Sequence, residues 1–258
     1  MRLKEIYEIA DAVAPFSLSR EYCEKYDFHD NSGVIVDCGE EIDKILFALD
    51  CSAEAVSRAK ETGAQLLFTH HPAIFSPLYH LSVSNGGERA LLSAIRAGIS
   101  VISAHLNLDS AEGGIDDCLM RGLGGSEPAI MHVLSCGGYG RAYDADTDSE
   151  SLLKRIRTEF CTDRVIFYGE QRKISRIASF CGAGMDEETL AFAKREGADT
   201  IVTSDGKHHL IAAALGEGMN VVLMTHYASE LYGFNRFYRK IKEKTGLPCE
   251  FFTDIRLL

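Results

Sequence analysis

No two cysteines stand close enough in this chain to act together: of the 8, the nearest neighbours, Cys38 and Cys51, are 13 positions apart. Without a C-x-x-C pair there is no local thiolate zinc site and no dithiol redox centre, and the eight thiols read as reduced, as in a cytoplasmic protein. Long apolar runs are missing too. The longest stretch without Asp, Glu, Lys or Arg, Thr62 to Gly87, is interrupted by His70, His71, Pro72, Pro77 and His80, so no bilayer-spanning helix can be built from it. Positive charge is in deficit: Lys+Arg number 27 against 38 Asp+Glu, a formal charge of -11. The mean field therefore repels nucleic acid and anionic membranes, which makes nucleic acid an unexpected partner and argues against a membrane one. Acids at Glu5, Glu8 and Asp11 likewise disqualify the N-terminus as a signal peptide.

What is present is ordinary for a globular protein: 258 residues, 46% hydrophobic and 25% charged, enough for one large domain or two modest ones. Ile6, Ile9, Ala10 and Val13 have amphipathic helical spacing. Val34–Val36 reads as a strand, Lys44–Asp50 as a strand covered on both faces, and Gln65–Thr69 and Ile99–Ser103 as further strands. Helices over Ser52–Thr62 and Glu88–Ala97 separate them, stopped by Gly63 and Gly98. Between Ala129 and Phe180 the character shifts toward α+β, with strands at Met131–Ser135, Val165–Tyr168 and Ile174–Phe180, one helix at Ser149–Phe160, and antiparallel pairing expected. Alternation then resumes: helix Asp186–Glu196, strand Thr200–Thr203, helix Lys207–Leu215, strand Asn220–Met224, helix Ser229–Lys244 and a short closing strand. The fold class is α/β.

Two segments repeat one pattern. Glu61 to His71 and Arg195 to Asp205 each run helix end, Gly-Ala turn, strand and polar side chains at the strand's carboxyl end. The next strands end in Ala104-His105 and Thr225-His226, each with a carboxylate four positions on, Asp109 and Glu230. An internal duplication explains this most simply, giving two similar α/β domains, residues 1–125 and 126–258, with a metal site between them and the C-terminal segment returning His226 and Glu230 to it.

Histidines cluster just after strands, where α/β sheets build ligand sites. Neighbouring side chains in a regular strand face opposite sides; at a strand end before Pro72 a kinked backbone lets His70 and His71 each serve a different ion, which suits a dinuclear site. Asp109, before the turn-rich Ala111-Glu112-Gly113-Gly114, is expected to point freely and to bridge two cations. His226 and Glu230, four apart at a helix start, share a face. Imidazole plus carboxylate suits zinc, iron or manganese. His105 reads as a proton carrier or as a residue orienting a ligand, and Lys207 with His208 as a substrate-binding pair offering positive charge to a phosphate. Gly182-Ala183-Gly184 is a weak phosphate loop, because Asp186, Glu187 and Glu188 occupy the first turn that follows. Tyr227, Tyr232, Phe234, Phe237 and Tyr238 have the spacing of a helix packed on a core.

Thr69-His70-His71-Pro72 with Phe75, Ala104 to Asp109 with Gly113-Gly114, Ser204 to His209, and Thr225 to Glu230 together resemble the GTP cyclohydrolase 1 type 2 homologue family, also called NGG-interacting-factor-like. The resemblance runs nearly end to end, taking in Asp30-Asn31-Ser32-Gly33 and Ala48-Leu49-Asp50. It implies two divalent ions per chain held by His70, His71, Asp109, His226 and Glu230, two similar α/β domains and a toroidal homo-hexamer. It also points to a nucleotide such as GTP as substrate. Two departures stand out: His29 occupies the place of a tryptophan that the family carries before Asp-Asn, and Gly182-Ala183-Gly184 replaces Gly-Ser-Gly, removing a hydroxyl.

Two functions are compatible with these residues. One is a metal-dependent hydrolase of a nucleotide or phosphoester, with a phosphorylated small molecule as its partner. The alternative is a non-catalytic protein that binds or delivers metal or acts as an oligomeric scaffold, favoured by the lack of a strong phosphate loop and of arginines near the ligands.

Overall fold

The computed structural model describes residues 1–39 and 41–258. The chain opens with α1 (Leu3–Val13), α2 (Ser17–Tyr26), β1 (Gly33–Val36), β2 (Ile45–Ala48), α3 (Ala53–Thr62), β3 (Leu66–Thr69), α4 (Gly86–Arg96), β4 (Ser100–Ser103) and α5 (Leu106–Ser110). It continues with α6 (Ile115–Leu123), β5 (Ala129–Val133), β6 (Gly138–Asp148), α7 (Ser149–Glu159), β7 (Ile166–Tyr168), β8 (Lys173–Ser179) and α8 (Glu187–Arg195). It closes with β9 (Thr200–Thr203), α9 (His208–Gly216), β10 (Asn220–Leu223), α10 (His226–Thr245) and β11 (Cys249–Phe251). These elements make a mixed α/β protein of two compact units: Met1–Ala111 with Phe234–Thr253, and Glu112–Gly233 with Asp254–Leu258.

The first unit is built on a sheet of order β1-β4-β3-β2-β11. β2, β3 and β4 are parallel and every residue in them is buried, as continuous apolar runs require when helices cover both faces. Ser52 caps α3 by accepting the Ala55 amide, and Gly63, at φ +71°, closes the helix in the left-handed conformation that a β-carbon disfavours. β1 runs antiparallel to β4, and β11 parallel to β2. The sequence reading divided the chain after residue 125 and left the C-terminal segment in the second domain. In the structure the first unit stops at Ala111 and takes back Phe234–Thr253. The reason is aromatic: Phe47 and Phe68 stack at 5.2 Å, Tyr238 lies 5.2 Å from Phe47, and Phe237 lies 5.3 Å from Phe68. Each phenylalanine so buried contributes roughly 1.5–3 kcal/mol.

The second unit carries the sheet β5-β6-β8-β9-β10-β7. β8, β9 and β10 are parallel, whereas β6 pairs antiparallel with both β5 and β8, and β7 antiparallel with β10. The expected antiparallel character of the middle is therefore present. Both sheets share one order: an antiparallel edge strand, then the third, second and first of three parallel strands, β1-β4-β3-β2 in one unit and β7-β10-β9-β8 in the other. That shared order runs through the same strands as the matched segments of sequence.

Four elements had no counterpart in the sequence reading: α2, α5, α6 and β6. β6 contains Gly138, Gly140, Asp144, Asp146 and Asp148, residue types depleted from strands. It forms because two neighbours pair with it, which outweighs its local preference. Among the described residues no helix is long and apolar enough to cross a membrane, and no disulfide joins any of the eight cysteines.

Candidate metal centre

In the first unit the end of β3 turns sharply. The His70 and His71 amides both donate to the Leu49 carbonyl, at 3.1 and 2.9 Å, and Thr69 Oγ1 donates to the His71 carbonyl at 2.9 Å. This contraction brings the doublet's rings together, with centroids 4.9 Å apart instead of on opposite faces of a strand. His105, the residue before α5, adds a third ring, 5.2 Å from His70 and 5.8 Å from His71. Ligand atoms of the three histidines lie within 4.8 Å of one another. Asp109 Oδ1 approaches His70 Nε2 at 3.4 Å. The expectation that Asp109 lies in a loose turn-rich segment is corrected: it belongs to α5, all five of whose residues are buried. Asn107 of that helix ties it down by donating to the Ala14 carbonyl at 2.7 Å.

In the second unit His226 opens α10 and its Nε2 lies 3.0 Å from Glu230 Oε1, one turn on. Glu230 is 2% exposed. Gly182, at φ +60°, lies against this pair: a β-carbon there would come within 2.5 Å of Glu230 Oε1 and 3.3 Å of the His226 ring. The loop that the sequence reading treated as a weak phosphate binder is thus the cradle of a carboxylate. Lys207 is the N-cap of α9, and His208 and His209 are exposed in its first turn. None of the three belongs to a group of ligand-spaced side chains among the described residues. The neighbouring Asp205 does reach the histidine.

Every ring in these clusters is held at Nδ1. His70 donates to the Ala104 carbonyl, His71 bonds to Asp50 Oδ1, His105 to Asp30 Oδ1 and His226 to Asp205 Oδ2, each at 2.7 Å. Asp30, Asp50 and Asp205 stand in the sequence only within the family pattern and, for Asp205, the repeat; their pairing with histidines 75, 21 and 21 positions away leaves no local signal. Burial pushes the Asp30 carboxyl up, but hydrogen bonds from His105, Ser19 and Ser32 outweigh it and hold Asp30 well below the usual carboxylate range. His29 donates from Nε2 to the Phe75 carbonyl at 2.8 Å, and Asn31 to the Ile74 carbonyl at 2.6 Å, fixing the loop that follows the doublet.

The donor chemistry fits a divalent cation. A carbonyl can only accept, so His70 carries a proton on Nδ1, which aims its Nε2 at the Asp109 carboxylate. A proton or a cation between these two atoms would offset the carboxylate, and the spacing suits the cation. Ligands bonded to one ion at about 2.1 Å lie roughly 3.0–3.4 Å apart, the range of both imidazole–carboxylate pairs. Backing each imidazole with a carboxylate or carbonyl is the arrangement that orients metal-ligating histidines.

A family model described as Duf34/NIF3 (NGG1p interacting factor 3) matches residues 1–255. A Clostridium perfringens protein named GTP cyclohydrolase 1 type 2 homolog is 32% identical, over 97% of this chain and 95% of its own. Among solved structures, reduced HcgD from Methanocaldococcus jannaschii superposes with TM-score 0.84 at 26% identity, over 98% of each chain. A Bacillus cereus protein related to NIF3 has the same TM-score at 16% identity, over 98% of this chain and 97% of its own, and shows the fold alone.

Proposed function

This chain belongs to the Duf34/NIF3 family, and from that premise we propose that it is a dinuclear divalent-metal protein acting as a hydrolase of a nucleotide or phosphoester. The observation that carries the reading is that His70, His71 and His226 are each tied at Nδ1, which turns their Nε2 atoms into preset ligands. In this reading His70, His71 and Asp109 of the first unit and His226 and Glu230 of the second hold two ions of zinc, iron or manganese. When bound, such cations supply an activated water and a counter-charge to the anion that develops during hydrolysis.

The chain's own residues do the rest. Asp109 and Glu230, both nearly fully buried, provide the anionic charge that offsets two cations. Asp30 keeps the His105 proton on Nδ1, so that Nε2 can accept a proton and return it to a leaving group. Lys207 and His208, exposed at the start of α9, supply positive charge for a phosphate. A nucleotide substrate is supported by the printed name of the Clostridium perfringens relative. Metal delivery without turnover is the second reading. It is favoured by the acids that hold His71, His105 and His226, whose charge repels a triphosphate instead of clamping it.

Protein purified without chelators or tag metals should carry about two ions per chain, and Asp109→Ala and Glu230→Ala should each lower that content. A content near zero that added Zn, Fe or Mn cannot raise would refute the metal centre. Metal-dependent turnover of nucleotides or phosphoesters then selects the hydrolase, and transfer of metal to an apo-acceptor without turnover selects delivery. Self-assembly into a homo-hexamer belongs to the same proposal. Light scattering should return six times the 28.4 kDa of one chain, and a monomer mass would remove it.

A further inference from the structure

α6 of the second unit carries two carboxylates side by side, Asp116 buried and Asp117 half-buried, and they do different things. Asp117 takes the Arg141 guanidinium, accepting from Nε at 2.9 Å. Asp116, with no exposed surface, lies 3.8 Å from the same guanidinium and spends its oxygens on backbone. Oδ1 accepts the Cys181 amide at 2.9 Å and Oδ2 accepts the Gly140 amide at 2.6 Å. Arg141 offsets part of the Asp116 charge from 3.8 Å, but both short hydrogen bonds of Asp116 go to backbone amides. What its carboxylate does is locate two backbone amides, and a buried carboxylate is a costly way to do so unless their position matters.

One of those amides opens the loop beneath the metal-binding arm. The Cys181 peptide is held from both sides, its N–H by Asp116 and its carbonyl by the Tyr139 hydroxyl at 2.9 Å. The next residue is Gly182, whose amide donates to Ser229 Oγ at 3.3 Å and whose Cα backs onto Glu230 and His226. The neighbour of Asp116 braces the other side. A β-carbon on Gly233, three residues past Glu230, would meet the Ile115 backbone at 2.8 Å, so α6 and α10 touch there without intervening side chains. Ile115 and Asp116 thus set both the helix that carries the ligands and the shelf on which they rest.

We propose that Asp116 is a positioning residue for metal binding, holding Cys181-Gly182 so that Glu230 and His226 keep ligand geometry. The inference rests on the reading of Glu230 and His226 as metal ligands and adds a residue that coordinates nothing itself. Cobalt(II) is the probe: its dissociation constant by titration calorimetry and the visible absorption of the bound ion, measured on full-length wild type, Asp116→Asn, Tyr139→Phe and Ile156→Val. Ile156, fully buried in α7 of the same unit, controls for loss of stability alone. Asp116→Asn keeps the volume but offers a single acceptor. It should weaken cobalt at least 10-fold, in the range seen when residues behind metal ligands are changed, and should shift the absorption bands, while Ile156→Val leaves both unaltered. Affinity and spectrum unchanged in Asp116→Asn, or altered equally in Ile156→Val, would overturn the proposal. Should Asp116→Asn fail to fold, Tyr139→Phe decides: a several-fold loss supports the shelf, and wild-type affinity rejects it. Wild type that binds no cobalt sinks the metal reading and this inference with it, whereas wild type that binds beside an indifferent Asp116→Asn sinks only the inference.

Discussion

Gly182→Ala should weaken divalent-metal binding on the order of 10- to 100-fold while leaving the fold in place. Two costs combine at this residue. At φ +60° a side chain pays about 1–2 kcal/mol for the left-handed backbone, and the new β-carbon would sit 2.5 Å from Glu230 Oε1, so the carboxylate must move. Glu230 is 2% exposed and shares its space with the His226 ring at 3.0 Å. It therefore cannot swing into solvent as a surface glutamate would. The measurement is metal content and affinity beside thermal unfolding of the metal-free protein. A variant that binds as wild type would mean that Gly182 does not set the Glu230 carboxylate.

Arg141→Met should cost about 3–5 kcal/mol of stability, the usual penalty for removing one partner of a buried ion pair. The guanidinium has no exposed surface and serves three acceptors, Asp117 Oδ1 at 2.9 Å and the Gly138 and Gly140 carbonyls at 2.8 and 3.2 Å, with the Asp116 carboxylate 3.8 Å away. Methionine fills much of the volume and none of those needs. The buried Asp116 and the half-buried Asp117 would lose their cation, and two carbonyls at the start of β6 would lose their donor. For a chain of this size the loss corresponds to a drop of roughly 6–20 °C in Tm. Urea unfolding gives the free energy directly, and a change below about 1 kcal/mol would show that solvent or rearranged neighbours replace the arginine. Adding Asp117→Leu to Arg141→Met should recover part of the loss, because one uncompensated charge goes with it.

The same buried arginine shows why part of the fold was hidden. β6 reads locally as glycine and aspartate in no regular alternation, yet it holds the middle of the second unit's antiparallel region because β5 and β8 flank it, Asp117 accepts from Arg141 and Asp116 accepts the Gly140 amide. α5 was missed for a related reason. Five residues are too few to display a period, and burial on every side, not an amphipathic face, keeps Asp109 in place. The parallel strands, in contrast, announce themselves as apolar runs between helices stopped by Gly63, Gly98 and Gly197.

The sequence by itself determined what local spacing can encode: strands and helices of the two repeats, the doublet His70-His71 at a strand end, and the i, i+4 pair His226 and Glu230 on one helical face. Tertiary structure alone decided which atoms those side chains present. Asp30, Asp50 and Asp205 fix the tautomers of His105, His71 and His226 from 75, 21 and 21 positions away. Gly182 is 48 positions from the carboxylate it cradles, and Phe234–Thr253 rejoins the first unit through aromatic contacts with Phe47 and Phe68. Periodicity reports neighbours within a turn or a pleat. A hydrogen bond between distant residues leaves no such trace, because its partners meet only after the sheets have paired and the core has closed.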